Sequence, residues 1–302
     1  MFSTMRGRRG AVLGVAGAAL LGLSLAACGE QESAETPGAG PSVSASVDAD
    51  LAARVPDAIK ADGKIVVGTD SSYAPAEFLD TDGKTVVGFD VELFTAVAAK
   101  LGLKAEFVSA NFGDIITGVN SGKYEVGVSS FTINEERKAQ ANMVSYYEVG
   151  TQWVTRKGNP AGVTLDNACG KKIAVQKDTV QVDDIQARSK ACTDAGKPAI
   201  VIDQFPGQDA ATAAVVSGKD DAMLADYPVG AYAVTQSNGQ LELLDKMYDA
   251  APYGYVVAKD QLAFAEAVRD ATKALIADGT YRAVLEKWQV ADGAITEPAI
   301  NP

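Results

Sequence analysis

The chain contains no histidine. That absence removes the commonest general base and the commonest metal ligand together. It also leaves Ser129 and Ser130 without an imidazole partner for nucleophilic attack. Phosphate-cradling loops are missing too, since neither G-x-x-x-x-G-K-[ST] nor G-x-G-x-x-G occurs. Asp183-Asp184 and Asp220-Asp221 are adjacent pairs whose side chains diverge, and they are expected on solvated faces rather than in a calcium loop. No metal, no cofactor and no catalytic group is therefore expected. Basic residues are scarce, 27 Lys+Arg against 39 Asp+Glu for a net charge of −12. That balance argues against nucleic acid and against adhesion to anionic lipid. Long apolar runs are nearly absent. The one candidate, residues 11–25, is shorter than the roughly 20 residues a membrane span needs.

What is present begins with an export pattern. Arg6, Arg8 and Arg9 precede the apolar run, which ends in Leu25-Ala26-Ala27-Cys28. This ending resembles the bacterial lipobox, in which cleavage precedes a cysteine whose sulfur carries a diacylglycerol. Residues 1–27 are read as a lipoprotein signal and Cys28 as the lipidated residue; an ordinary secretory signal is the alternative. Residues 28–50 are rich in Ser, Ala, Gly, Pro and Glu and lack aromatics, as expected of a flexible tether. Two cysteines remain. In an exported protein, Cys169 and Cys192 are expected to form a structural disulfide, with two buried thiols as the alternative.

Beyond residue 50, short apolar runs alternate with helical patterns, which predicts an α/β fold with a largely parallel sheet. Lys64-Ile65-Val66-Val67-Gly68 reads as a buried strand, and Asp82-Gly83 as a hairpin turn. Leu93, Phe94, Val97, Ala98 and Leu101 keep helical spacing up to Gly102. A strand through Ala105-Glu106-Phe107-Val108 and a helix over residues 115–120 follow. Near the end, Leu262, Ala265, Val268, Ala271, Leu275 and Ile276 mark a helix. Thr280 is expected to cap a second one, whose Tyr281 and Trp288 are assigned to the core.

An internal echo is the most informative pattern. Lys64-Ile65-Val66-Val67-Gly68-Thr69-Asp70 resembles Lys172-Ile173-Ala174-Val175-Gln176-Lys177-Asp178. Ser121-Gly122-Lys123 and Ser217-Gly218-Lys219 each lead into a short apolar strand, ending at Ser130 and Asp226 respectively. Two similar units account for this, with Asp70, Asp178, Ser130 and Asp226 at strand ends, where open α/β sheets bind ligands. Ser130 and Asp226 could equally cap the following helices.

Three stretches resemble the amino-acid-binding family (family 3) of bacterial ABC-transporter solute-binding proteins. The first is Gly68-Thr69-Asp70-Ser71-Ser72-Tyr73-Ala74-Pro75-Ala76-Glu77-Phe78, leading to Gly88-Phe89-Asp90. The second is Ser129-Ser130-Phe131-Thr132-Ile133-Asn134-Glu135-Glu136-Arg137, and the third runs from Asp278-Gly279-Thr280-Tyr281 to Lys287-Trp288. The resemblance implies a two-lobed, type II periplasmic-binding-protein-like fold, with two α/β lobes joined by a two-strand hinge. Residues 51–155 and 253–302 would form lobe 1 and residues 156–252 lobe 2, with residues 151–157 and 253–259 crossing between them.

By the same resemblance, Arg137 holds the ligand's α-carboxylate and Asp226 its ammonium, with Ser130 and Thr132 assisting. Thr179, flanked by Gln176 and Val180, lies near the carboxylate. Tyr73 and Phe112 sandwich the ligand side chain, unless they belong to the core. Asp70 reaches a polar or basic side chain, or else caps its own loop. Asp178 stands where members often have glycine, and Trp153 either lines the cleft or packs beneath it. The implied protein is an extracytoplasmic, membrane-anchored monomer that captures a free amino acid, polar or basic, and delivers it to permease subunits. Two alternatives stay open. One is a dehydratase of the same fold using Asp70 or Glu77 as an acid; the other is a sensor that signals to a membrane receptor.

Overall fold

The computed structural model describes residues 45–302. The signal, Cys28 and most of the expected tether lie outside the described residues. Two short helices, α1 (Ala49–Ala53) and α2 (Asp57–Lys60), precede strand β1 (Lys64–Thr69). A small antiparallel sheet follows, made of β2 (Ser72–Tyr73), β3 (Glu77–Leu79) and β4 (Val86–Val87). Next come helix α3 (Phe89–Lys100), β5 (Lys104–Ser109), α4 (Ile115–Asn120), β6 (Val126–Gly127) and α5 (Glu135–Gln140). The long strand β7 (Ala141–Arg156) leads into β8 (Lys172–Gln176), α6 (Val180–Asp194), β9 (Val201–Phe205) and α7 (Gln208–Ser217). Then β10 (Ala222–Asp226), α8 (Tyr227–Gln236), the second long strand β11 (Leu241–Ala258), α9 (Leu262–Ala277) and α10 (Thr280–Lys287) complete the chain.

The echo in the sequence is an echo in the sheet. Eight strands run in the order β5-β1-β6-β11-β7-β10-β8-β9. In one half β1 lies between β5 and β6, parallel to both; in the other β8 lies between β9 and β10, again parallel to both. Gly122 and Gly218, the paired glycines of the two Ser-Gly-Lys turns, both adopt positive φ, +75° and +78°. The sheet as a whole is mixed rather than largely parallel, because β7 and β11 run antiparallel to each other and to their neighbours β10 and β6.

Those two strands join the lobes. From Ala141 to Val149, β7 pairs with the later part of β11; from Thr151 it pairs with β10 and with the start of β11. The partner change falls at the start of the expected crossing, and the return in β11 begins at Ala251. The ladder is irregular here, with register shifts around Tyr248 and positive φ at Asp245 and Asp249. Each lobe has its own apolar cluster, one around Phe89, Phe94, Tyr255 and Leu285, another around Trp153, Ile173, Ile185 and Leu224. Cys169 and Cys192 are joined by a disulfide that ties α6 to the segment before β8.

Several expectations need correction. Residues 48–50 are ordered, not part of a tether. The Asp48 carboxylate accepts from the amides of Asp50 and Leu51, its own amide donates to Lys100 O, and Leu51 is buried. Thr280 is the first residue of α10 rather than its cap, because Asp278 Oδ1 takes its free amide at 3.0 Å. Asp220 is not solvated: it is fully buried, without an N–H or O–H partner among the described residues, beside Asp203. Asp184 accepts from Arg188 and from the Tyr248 hydroxyl. Trp153 packs beneath the cleft, its indole N–H donating to Tyr248 Oη at 2.9 Å.

Candidate functional site

The strand ends converge on one nearly filled cleft, whose free volume of about 10 Å³ is roughly what a single water needs. All ten residues singled out from the sequence line it: Asp70, Tyr73, Phe112, Ser130, Thr132 and Arg137 from one lobe, and Gln176, Thr179, Val180 and Asp226 from the other. A larger groove of about 380 Å³ runs past Pro75, Tyr147, Tyr232 and Trp288. Its carboxylates, Glu148 and Asp292, are exposed, so it lacks the buried convergent charge of the smaller cavity.

Arg137 is the one buried cation among the described residues, at 8% exposure. Asn134 caps α5 by accepting from the Arg137 amide at 2.9 Å, which places the side chain at the cavity wall. The guanidinium donates to Thr132 O at 2.8 Å and to Asp178 O, on the other lobe, at 3.1 Å. It lies 5.2 Å above the Phe112 ring, which stacks on Phe131 at 4.5 Å. Burial lowers its pKa, and Asp226 opposes that shift.

Asp226 ends β10 at the N-cap position of α8, yet its side chain makes no capping bond. Its Oδ2 accepts from the hydroxyls of Tyr73 (2.9 Å) and Tyr253 (2.6 Å), and Oδ1 from Gln181 Nε2 (2.8 Å). Burial raises its pKa, against those hydrogen bonds and the charge of Arg137. Ser130 does not cap α5, where Asn134 does so. It sits at φ +50°, its amide donating to Asp90 Oδ2 at 3.0 Å. A serine in that region is strained and is held by its surroundings.

Asp70 closes its own loop and also faces the other lobe. Oδ1 accepts from the Ser72 amide and hydroxyl, closing its own loop, while Oδ2 accepts from the Phe112 amide and from Gln176 Nε2 across the cleft. Burial raises its pKa too. Thr179 is the N-cap residue of α6, and its hydroxyl donates back to Gln176 O at 2.8 Å.

Three lining residues escaped sequence reasoning as binding residues: Glu77, Ser129 and Gln181. Gln181 lies in the first turn of α6, a position that the Thr179 cap could have marked. Glu77 lies inside the Gly68–Phe78 stretch, where the sequence offers it only as an acid. It is completely buried, accepting from Ser129 Oγ at 3.1 Å and Ser130 Oγ at 3.3 Å. Taken together, the cavity presents one cation and three carboxyl groups, on opposed lobes, to whatever fills it.

Known proteins share this fold. The arginine-binding protein ArgT of Corynebacterium glutamicum is 31% identical over 292 residues, covering 96% of this chain and 95% of that relative. An ancestral arginine-binding protein solved with arginine superposes with a TM-score of 0.69 at 34% identity, covering 75% of this chain and 98% of that one. Its glutamine complex gives the same TM-score at 33% identity, covering 76% and 98%. The match to bacterial extracellular solute-binding proteins, family 3, extends over residues 65–291, and the chain belongs to that family.

Proposed function

We propose that this protein captures a free amino acid, polar or basic, between its two lobes and delivers it to the permease subunits of an ABC importer. The observation that carries the reading is the pairing of buried Arg137 on one lobe with buried Asp226 on the other, across a single small cavity. Those charges suit the two ends of a zwitterion. Arg137 offers a planar donor pair for a carboxylate, and the amides at the start of α6, around Thr179 and Val180, add to it. Asp226 suits the ammonium, with Ser130 and Thr132 assisting. The side chain then extends toward Asp70 and Glu77, between Tyr73 and Phe112. The arginine and glutamine named for its relatives agree with a polar or basic ligand.

In this reading residues 1–27 are a lipoprotein signal, Cys28 is lipidated, and the protein works as a monomer on the outer face of the cell membrane. Among the described residues no helix is long and apolar enough to cross a membrane. A thermal-shift screen of the twenty amino acids tests the reading. At a hundred times its Kd the ligand should add about 2.7 kcal/mol of stability. A protein stabilised by none of them would overturn it.

A further inference from the structure

Glu77 on β3 and Asp90 in the first turn of α3 are both completely buried and share a neighbour, the Ser130 hydroxyl. Glu77 faces the cavity, and Asp90 stands behind it. Ser130 Oγ lies between them, 3.3 Å from Glu77 Oε2 and 3.2 Å from Asp90 Oδ2. Asp90 Oδ2 also accepts from the Ser130 amide and from the Tyr146 hydroxyl at 2.5 Å. Its other oxygen, Oδ1, has no N–H or O–H donor among the described residues. A proton held between the two carboxyl groups would supply that donor and remove one of two adjacent buried charges.

The surroundings favour a proton there. Asp70, from the loop after β1, is joined to Glu77 through Ser129, whose hydroxyl accepts from the Asp70 amide. Tyr73 on β2, Tyr146 on β7 and Tyr255 on β11 face the pair, the last two stacked at 4.0 Å. Asp226 lines the far lobe, and Arg137, the cavity's one cation, is held to Thr132 O and Asp178 O. Burial first, then Asp90, holds the Glu77 carboxyl well above the usual range.

We propose that Glu77 discriminates ligands by side-chain charge, exchanging the proton it shares with Asp90 for a cationic group on the ligand. A basic amino acid would place its cation against Glu77, and the proton would leave to solvent, so the net charge of the site is unchanged. A neutral side chain would leave the proton between the two carboxyl groups and donate its own hydrogen bond to Glu77. This inference rests on the reading of the cavity as an amino-acid site. The sign follows from linkage: the free protein holds the proton up to a raised pKa, and the cation-bound form releases it at lower pH. Between those limits, affinity for a basic ligand rises by up to about tenfold per pH unit, while affinity for a neutral one stays flat.

Calorimetric titration of the full chain with arginine, lysine and citrulline, across roughly pH 5.5 to 8 in buffers of different ionisation enthalpy, tests this. Citrulline keeps the length of arginine and replaces its guanidinium with a neutral ureido group. Release approaching one proton per bound arginine or lysine, and none with citrulline, is expected. Glu77→Gln, which mimics the protonated form, should abolish the release and flatten the pH profile. If that variant does not fold, the comparison of ligands on the unmodified protein decides alone. Basic ligands that bind without proton release, equal release with citrulline, or refusal of the basic ligands alone would overturn the inference. Refusal of all three, with no other amino acid bound, would overturn the site reading beneath it.

Discussion

Arg137 has its guanidinium partly committed before any ligand arrives. Two of its donors are spent on Thr132 O and Asp178 O, and its flat face rests on Phe112. This fixes the rotamer of a long side chain that would otherwise lose much of its entropy on binding. Arg137→Ala is expected to weaken amino-acid binding by about 2–5 kcal/mol, since a buried carboxylate would lose its partner. Arg137→Lys should recover only part, because an ammonium cannot reproduce the planar pair. Titration calorimetry measures both, and melting of the ligand-free variants separates lost binding from lost structure. Asp226 would show the converse dependence. Its legibility in the sequence came from the echo with Ser130, whereas the three donors that hold it, Tyr73, Tyr253 and Gln181, come from distant segments. Sequence spacing could not have joined them.

At the scale of elements, the strands and helices followed from local pattern. The helix over residues 115–120 and the turn at Gly102 appear where periodicity and glycine placed them. What pattern reading missed were the departures set by tertiary packing: the early helix α1, the buried Asp220, and the antiparallel course of β7 and β11. The disulfide belongs to this scale as well. It closes a loop of 23 residues between the segment before β8 and α6, worth about 3 kcal/mol in the chain-entropy account. Replacing Cys169 and Cys192 with alanine should therefore lower the melting temperature, with ligand affinity well below that temperature little changed. Thermal denaturation with and without reductant gives the same comparison on the unaltered chain.

For the whole molecule, the contacts across the cleft determine how near the lobes come. Tyr73 donates to Asp226, Gln176 to Asp70, Arg137 to Asp178 O, and the Gln208 amide to Ser72 Oγ. Gly113 on one lobe also lies close against the Asp178 side chain on the other. A methyl added at Gly113 would lie 2.8 Å from Asp178 Cγ. Gly113→Ala should hold the lobes apart and weaken binding by about 1–3 kcal/mol, the usual range for overpacking. Asp178 already sits at φ +62°, a conformation natural to glycine, so adding Asp178→Gly should restore closure and affinity together. Binding titrations with small-angle scattering of the ligand-bound forms would check both halves of that expectation.

The sequence by itself determined the two repeated α/β units, the strand-end placement of Asp70, Ser130, Asp178 and Asp226, and the lack of any histidine-based chemistry. These are local properties: apolar periodicity, glycine turns and composition are written in consecutive residues. The tertiary structure decided what surrounds each charge. Asp90 is buried behind Glu77 and raises its pKa, and Gln181 reaches Asp226 from the first turn of α6. Burial and neighbouring charge depend on segments far apart in the chain, and only their assembly fixes the protonation and pairing on which binding depends.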